Sequence, residues 1–235
     1  MGATVDIRRA ADRFHTRIDW LDSWHSFSFS GHYDPKNVNH GLLLVHNDDW
    51  VNAGSGFPNH SHRDMEIVTW VLEGELRHRD SAGNDAVIYP GLAQRMSAGS
   101  GITHSEFNTS AREPVHFLQM WVPPDVQGIV PGYQEVDVKA ELATGALVKV
   151  AGGSDDAALH LHQAGAELWI AHAAPDTALT VPDAAHVHVF IARGTATLDT
   201  DENLDAGDAT RLTEAGSRPL VVGPDGAEIV VWATA

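Results

Sequence analysis

Two stretches decide the reading of this chain: Phe57-Pro58-Asn59-His60-Ser61-His62 and, about forty residues on, Gly101-Ile102-Thr103-His104-Ser105-Glu106-Phe107-Asn108. In an extended strand, residues i and i+2 leave the same face, roughly 6.5–7 Å apart along the chain. His60 and His62 therefore project together, and so do His104 and Glu106. Two imidazoles at that spacing can turn toward one ion at metal–nitrogen distances of about 2.0–2.2 Å. Paired on facing strands, the four residues supply three nitrogens and one oxygen. One or two coordination positions then stay open for water, dioxygen or substrate, which separates a catalytic metal from a structural one.

Working outward, the composition narrows the field. The chain has 235 residues, 43% hydrophobic and 20% charged, so a globular protein of one large or two compact all-β domains is expected. Fifteen Lys and Arg against 32 Asp and Glu give a formal net charge of −17, which argues against direct binding to nucleic acid or anionic membranes. There is no cysteine, and so no disulfide, thiolate metal site or cysteine nucleophile; any metal must be held by imidazole, carboxylate or water, and histidine is plentiful at fifteen. No apolar run reaches 18 residues and the first residues lack a signal-peptide core, so a soluble cytoplasmic protein is the expectation.

Short apolar runs punctuated by Gly and Pro predict strands at Phe27–Ser30, Gly41–Val45, Ile67–Leu72, Glu75–His78, Ala86–Tyr89, Gln94–Met96 and Val115–Val122. Asn47-Asp48-Asp49 is expected to stop the second of these. No sustained period near 3.6 occurs, so few helices are expected, and the fold class is all-β, a sandwich or barrel. Asp125–Glu135, with Gly128, Pro131 and Gly132, reads as a linker. Beyond it strands resume at Ala146–Val150, Glu167–Ala171, His186–Ala192, Thr195–Asp199, Leu220–Val222 and Glu228–Trp232. The expected domains are 1–130, with the metal, and 131–235, without it.

The spacing around the histidines carries a resemblance. Gly54-x5-His60-x-His62-x3-Glu66 followed by Gly101-x2-His104-x3-Asn108 resembles the two cupin motifs. The run Phe27-Ser28-Phe29, Tyr33-Asp34-Pro35, Asn47-Asp48-Asp49, His60 to Glu66, Leu72 to Leu76, His78 to Asn84 and Met96 to Gly101 is similar to the pirin family, densely from about residue 20 to 137 and loosely beyond. That resemblance implies a bicupin, two β-sandwich domains face to face, with a mononuclear iron in the first. It implies His60, His62, His104 and Glu106 as ligands. It also implies quercetin 2,3-dioxygenase activity of the bacterial kind, acting on a polyphenol with dioxygen. The animal members imply the alternative, a metal- or redox-sensing regulator of a protein partner. Fe(II) comes from the resemblance; the donor set itself also accepts Mn, Co, Ni, Cu or Zn.

Glu106, both ligand and potential base, is the candidate for taking a proton from a substrate hydroxyl. Glu66 is read either as an acceptor orienting a ligand imidazole or as a partner for an arginine. Asn108 is read as structural, and Gln119 as facing the metal. Phe57, Met65, Trp70, Met96 and Trp121 are candidates for an apolar cavity wall or for plain core, and Asp48-Asp49 for no function. In the second half, Thr180, Pro182 and Leu220 stand where ligands would be needed. His160-x-His162 and His186-x-His188 are therefore read as ordinary strand residues.

Overall fold

The computed structural model describes residues 2–199 and 202–235. In chain order its strands are β1 (Thr4–Arg8), β2 (Phe14–Arg17), β3 (Leu21–His25), β4 (Val45–Val51), β5 (Gly56–His62), β6 (Glu66–Glu73), β7 (Leu76–Asp80), β8 (Asp85–Ile88), β9 (Leu92–Ser97), β10 (Ile102–Asn108), β11 (Val115–Val122) and β12 (Gly132–Asp137). After the one-turn helix α1 (Lys139–Leu142) come β13 (Val148–Gly152), β14 (Leu159–His160), β15 (Ala166–Ala173), β16 (Ala178–Val181), β17 (His186–Leu198), β18 (Asn203–Asp205), β19 (Ala209–Thr213) and β20 (Arg218–Thr234). No helix among the described residues is long and apolar enough to cross a membrane.

Three sheets result. A seven-stranded sheet runs β12-β9-β6-β11-β4-β3-β2, and a four-stranded sheet β5-β10-β7-β8 lies over one of its faces. The third runs β1-β19-β17-β20-β15-β13-β14, with β16 on β20 and β18 on β17. The long strands β17 and β20 pair in three stretches separated by two irregularities, His186–Ile191 with Thr234–Ile229, Arg193 and Gly194 with Glu228 and Ala227, and Ala196–Leu198 with Val222–Leu220. They thereby form both layers around a second core of Val189, Ile191, Leu198, Leu220 and Val231.

The middle of the molecule explains why β6 and β11 read as unbroken apolar runs. Along β11, Val115 and Phe117 pack with Leu76 and Ile88 of the four-stranded sheet, while Leu118, Met120 and Val122 pack with Phe190, Val230 and Trp232 of the third sheet. A strand covered on both faces has no solvent side to make polar. Each large side chain enclosed this way contributes roughly 1.5–3 kcal/mol. Trp70 and Met96, candidate cavity residues by sequence, are core: Trp70 is in the contact between the two halves, donating to Glu228 at 2.7 Å, and Met96 packs with Ile67 and Met65.

Several expectations change. Phe27–Ser30 forms no strand; it sits in a loop with a single bridge from Phe29 to His32. Of Gly41–Val45 only Val45 is in a strand, β4, and Asn47-Asp48-Asp49 lies in the middle of that strand rather than ending it. Every polar side chain there finds a partner by alternation. His25 meets Asn47 at 2.8 Å and Ser23 bonds Asp49 on one face; Arg13 and His116 meet Asp48 at 3.0 and 2.5 Å on the other. The break expected after residue 130 is crossed both ways. β1 pairs with β19 in the third sheet, and β12, inside the expected linker, pairs with β9 in the seven-stranded sheet.

Candidate metal centre

β5 and β10 are antiparallel neighbours, with His104 opposite His60 and Ile102 opposite His62. Beyond that pair the register shifts. Glu106 stands opposite Phe57, so one residue of β10, Ser105, faces two of β5, Pro58 and Asn59. This is a bulge, and Pro58, which has no N–H to offer a ladder, occupies it. The extra residue has a consequence for side-chain direction. Phe57 and His60 are three apart and would otherwise face opposite sides; with the bulge both line the same interior cavity.

There the imidazoles of His60, His62 and His104 converge. Their ring centroids are 4.3, 4.9 and 5.0 Å apart in pairs, and one nitrogen from each lies within 4.8 Å of the others. Glu106 does not share that envelope with all three. Its carboxylate groups with His104 and His78, and both its oxygens accept from Gln119 Nε2, at 3.0 and 2.8 Å. Gln119 projects from β11 across the sandwich and fixes the carboxylate on the cavity side.

Three observations fit a metal. The Nε2 atoms of His62 and His104 are buried with no hydrogen-bond partner, and native interiors rarely leave such atoms unpaired without an ion or water. His60 Nδ1 lies 2.8 Å from the Pro58 carbonyl, which can only accept, so Nδ1 carries the proton and Nε2 has the free lone pair. Burial, reinforced by the neighbouring imidazoles, pushes His62 down to about 4 and His104 down to about 3, so both rings are neutral, as ligands must be.

Behind His104 runs a chain that sequence reasoning missed. His104 Nδ1 is 3.4 Å from His78 Nδ1, and His78 Nε2 is 3.2 Å from Asp80 Oδ2. The carboxylate accepts from His78 Nε2–H; His78 Nδ1 then accepts from His104, and His104 Nε2 is left bare. The signal was His78-x-Asp80 itself, an alternating pair on a strand beside β10.

A cavity of about 220 Å³ adjoins the centre. Phe29, Phe57 and Trp121 supply aromatic walls, and His25, Asn47, Asp49 and Gln119 polar ones. Asp49, to which the sequence assigned no role, is fully buried; desolvation pushes its carboxyl up to about 8, the nearby Asp48 and Glu106 charges adding to the rise. Phe57 and Trp121 thus line the cavity, whereas Met65 packs against the core around Ile67 and Met96. Glu66 orients no ligand imidazole, but its charge acts on the buried Arg95 guanidinium. It is on the β6 face turned to the other half, where it accepts from Ser97 Oγ at 2.9 Å and from the His162 backbone at 3.1 Å. Asn108 is structural, donating to the carbonyls of Val51 and Glu113. Of the remaining histidines, His188 is wholly enclosed instead of lying on an ordinary strand surface.

Comparison with known proteins gives the family. The family model described as Pirin matches residues 6–122. A Mycobacterium tuberculosis protein named "Putative quercetin 2,3-dioxygenase" is 55% identical over 234 residues, covering 99% of this chain and 96% of the relative. The Escherichia coli quercetin 2,3-dioxygenase is 43% identical over 159 residues, 68% of each chain. The crystal structure of the E. coli bacterial pirin YhhW in complex with nickel(II) superposes with a TM-score of 0.88 at 33% identity, covering 97% of this chain and 98% of that one.

Proposed function

This chain belongs to the pirin family, and from that premise we propose that it is an Fe(II)-dependent dioxygenase of the quercetin 2,3-dioxygenase type. It opens the heterocycle of a flavonol-like polyphenol with loss of carbon monoxide. The observation that carries this reading is the junction of bare imidazole nitrogens with an aromatic-walled cavity. His60, His62 and His104 would hold the ion, with Glu106 as the fourth ligand. When bound, the metal supplies Lewis acidity and one-electron reactivity toward dioxygen; a redox-inert ion such as zinc gives only the first.

The chain's own residues do the rest. Phe57 and Trp121 present ring faces and edges that suit a flat polyphenol. Glu106 takes the proton of the reacting hydroxyl onto a carboxylate oxygen. Gln119 keeps that carboxylate aimed at the cavity. His25 and Asn47, hydrogen-bonded to each other, give the far wall donors and acceptors for the remaining hydroxyls. A sealed ion would favour the alternative, a redox sensor acting on a protein partner; the cavity against His60 and His62 supports catalysis instead.

The test is metal analysis of anaerobically purified protein together with oxygen uptake on quercetin. Glu106→Gln is expected to keep most of the metal while lowering kcat by about 10²–10⁴-fold, the usual worth of a positioned base. His62→Ala is expected to lose metal and activity together. Iron-loaded protein that consumes quercetin no faster than His62→Ala ends the enzyme reading.

A further inference from the structure

In a chain of net charge −17, one recess is basic. It lies between the first residues of the chain and the third sheet, and Arg8, Arg9, Arg13, Arg211 and His188 line it, with exposed Asp12 as its one acidic wall residue. The register explains the convergence. Arg211 of β19 stands directly opposite His188 of β17, so both side chains leave the same sheet face, the one packed on the first half of the molecule.

Three of the four arginines have a carboxylate: Arg8 has Asp6 at 2.8 Å, Arg9 has Asp208 at 2.8 Å and Arg13 has Asp48 at 3.0 Å. Arg211 has none within 4 Å among the described residues. It is 5% exposed and donates only to neutral oxygens, to Asn37 Oδ1 at 2.7 Å and to the Ser26 carbonyl at 2.6 Å. Asp6 stands opposite Arg211 across β1 but is exposed and bonded to Arg8. Burial of the guanidinium pushes its pKa down to about 10.

Arg211 Nε, Arg13 Nε and both ring nitrogens of His188 are buried without partners. A buried charge without a counter-charge is costly, as is each orphaned donor. The unpaired groups are donors and one imidazole, so the missing occupant is an acceptor carrying negative charge. The space they enclose is small, about 20 Å³, the scale of one water or one monatomic ion.

We propose that this recess binds a single chloride-sized monovalent anion, which neutralises Arg211 and ties the N-terminal strand and both halves of the fold together. The site is separate from the metal centre and independent of the catalytic reading.

Thermal unfolding of the full chain, metal-loaded and metal-stripped, tests it in sodium chloride or bromide against sodium gluconate and sodium sulfate at matched ionic strength. Expected is a saturable rise of several degrees with chloride and bromide that gluconate does not give, equal in both metal states, whereas sulfate acts by exclusion from the surface and gives a rise that does not saturate. Arg211→Met should lose that rise. A crystal of the unaltered chain grown with bromide should show an anomalous peak between Arg13, His188 and Arg211, and this result decides the matter even if the variant does not fold. Equal stabilisation by all four salts overturns the proposal. A halide effect confined to the metal-loaded protein does so too, since the anion would then be acting at the metal. So does a bromide crystal with only water in the recess.

Discussion

At the scale of single residues, the centre depends on which ring nitrogen of His104 carries its proton. Asp80 fixes the tautomer of His78, and His78 fixes that of His104, so a carboxylate two side chains away leaves Nε2 bare for the proposed ion. Partners that orient a ligand imidazole are typically worth 10–100-fold in metal affinity. His78→Phe keeps an aromatic ring in a site only 1% exposed but removes the acceptor for His104. Competition with a chelator should show metal binding weakened by about 10–100-fold, with thermal stability of the metal-free protein little changed. Unchanged affinity would mean that strand geometry alone orients the ring. Gln119→Leu tests the other side of the centre. Without its amide the Glu106 carboxylate loses both of the hydrogen bonds it accepts among the described residues. Substrate KM should change little, while kcat falls.

At the scale of elements, the β5–β10 pair sets the geometry, and its weak point is Gly56. A Cβ there would lie 2.2 Å from the Glu106 carbonyl oxygen and 2.6 Å from the Phe107 Cα, both backbone atoms that cannot move aside. Gly56→Ala must therefore pry β5 from β10 beside a ligand. A loss of about 1–3 kcal/mol is expected in chemical denaturation, together with weakened metal binding, because the clash is transmitted along the same two strands. The paired histidines were legible in the sequence because strand periodicity alone brings i and i+2 to one face. The bulge was not, since one extra residue is invisible until the partner strand is known; Pro58 was its only trace. The same limit hid β4. A polar triplet reads as a strand end unless one knows that His25, Ser23, Arg13 and His116 wait on either side. The exchange of strands across the expected domain break was hidden for a related reason: β1 and β12 reach across it through sheet pairing between distant segments, which no local composition reports.

At the scale of the whole molecule, the unusual histidine content becomes an acid sensitivity. Six histidines, His25, His40, His46, His62, His104 and His188, have pKa values lowered chiefly by burial. Each is neutral when folded but takes a proton on unfolding below about 6.5. Their contribution is therefore present above pH 6.5 and lost as the pH falls toward 4–3. Asp49 acts in the opposite sense: with its carboxyl raised to about 8, it favours the folded state most below pH 4 and loses that effect as the pH rises through 8. His46 and His188 are fully enclosed, and each is worth up to about 1.4 kcal/mol per pH unit in this window, against a similar opposing slope from Asp49. The histidines outnumber the one acid, so the metal-free protein should lose stability steeply between pH 6.5 and 4 and take up several protons as it unfolds. Denaturant titrations across that range at constant chloride measure it. His46→Phe should flatten the slope by about one proton, and Asp49→Asn should steepen it by about one while raising stability at pH 8 relative to pH 4. A flat profile from pH 6.5 to 4 would mean that these rings meet water in the folded protein and are not held neutral by burial.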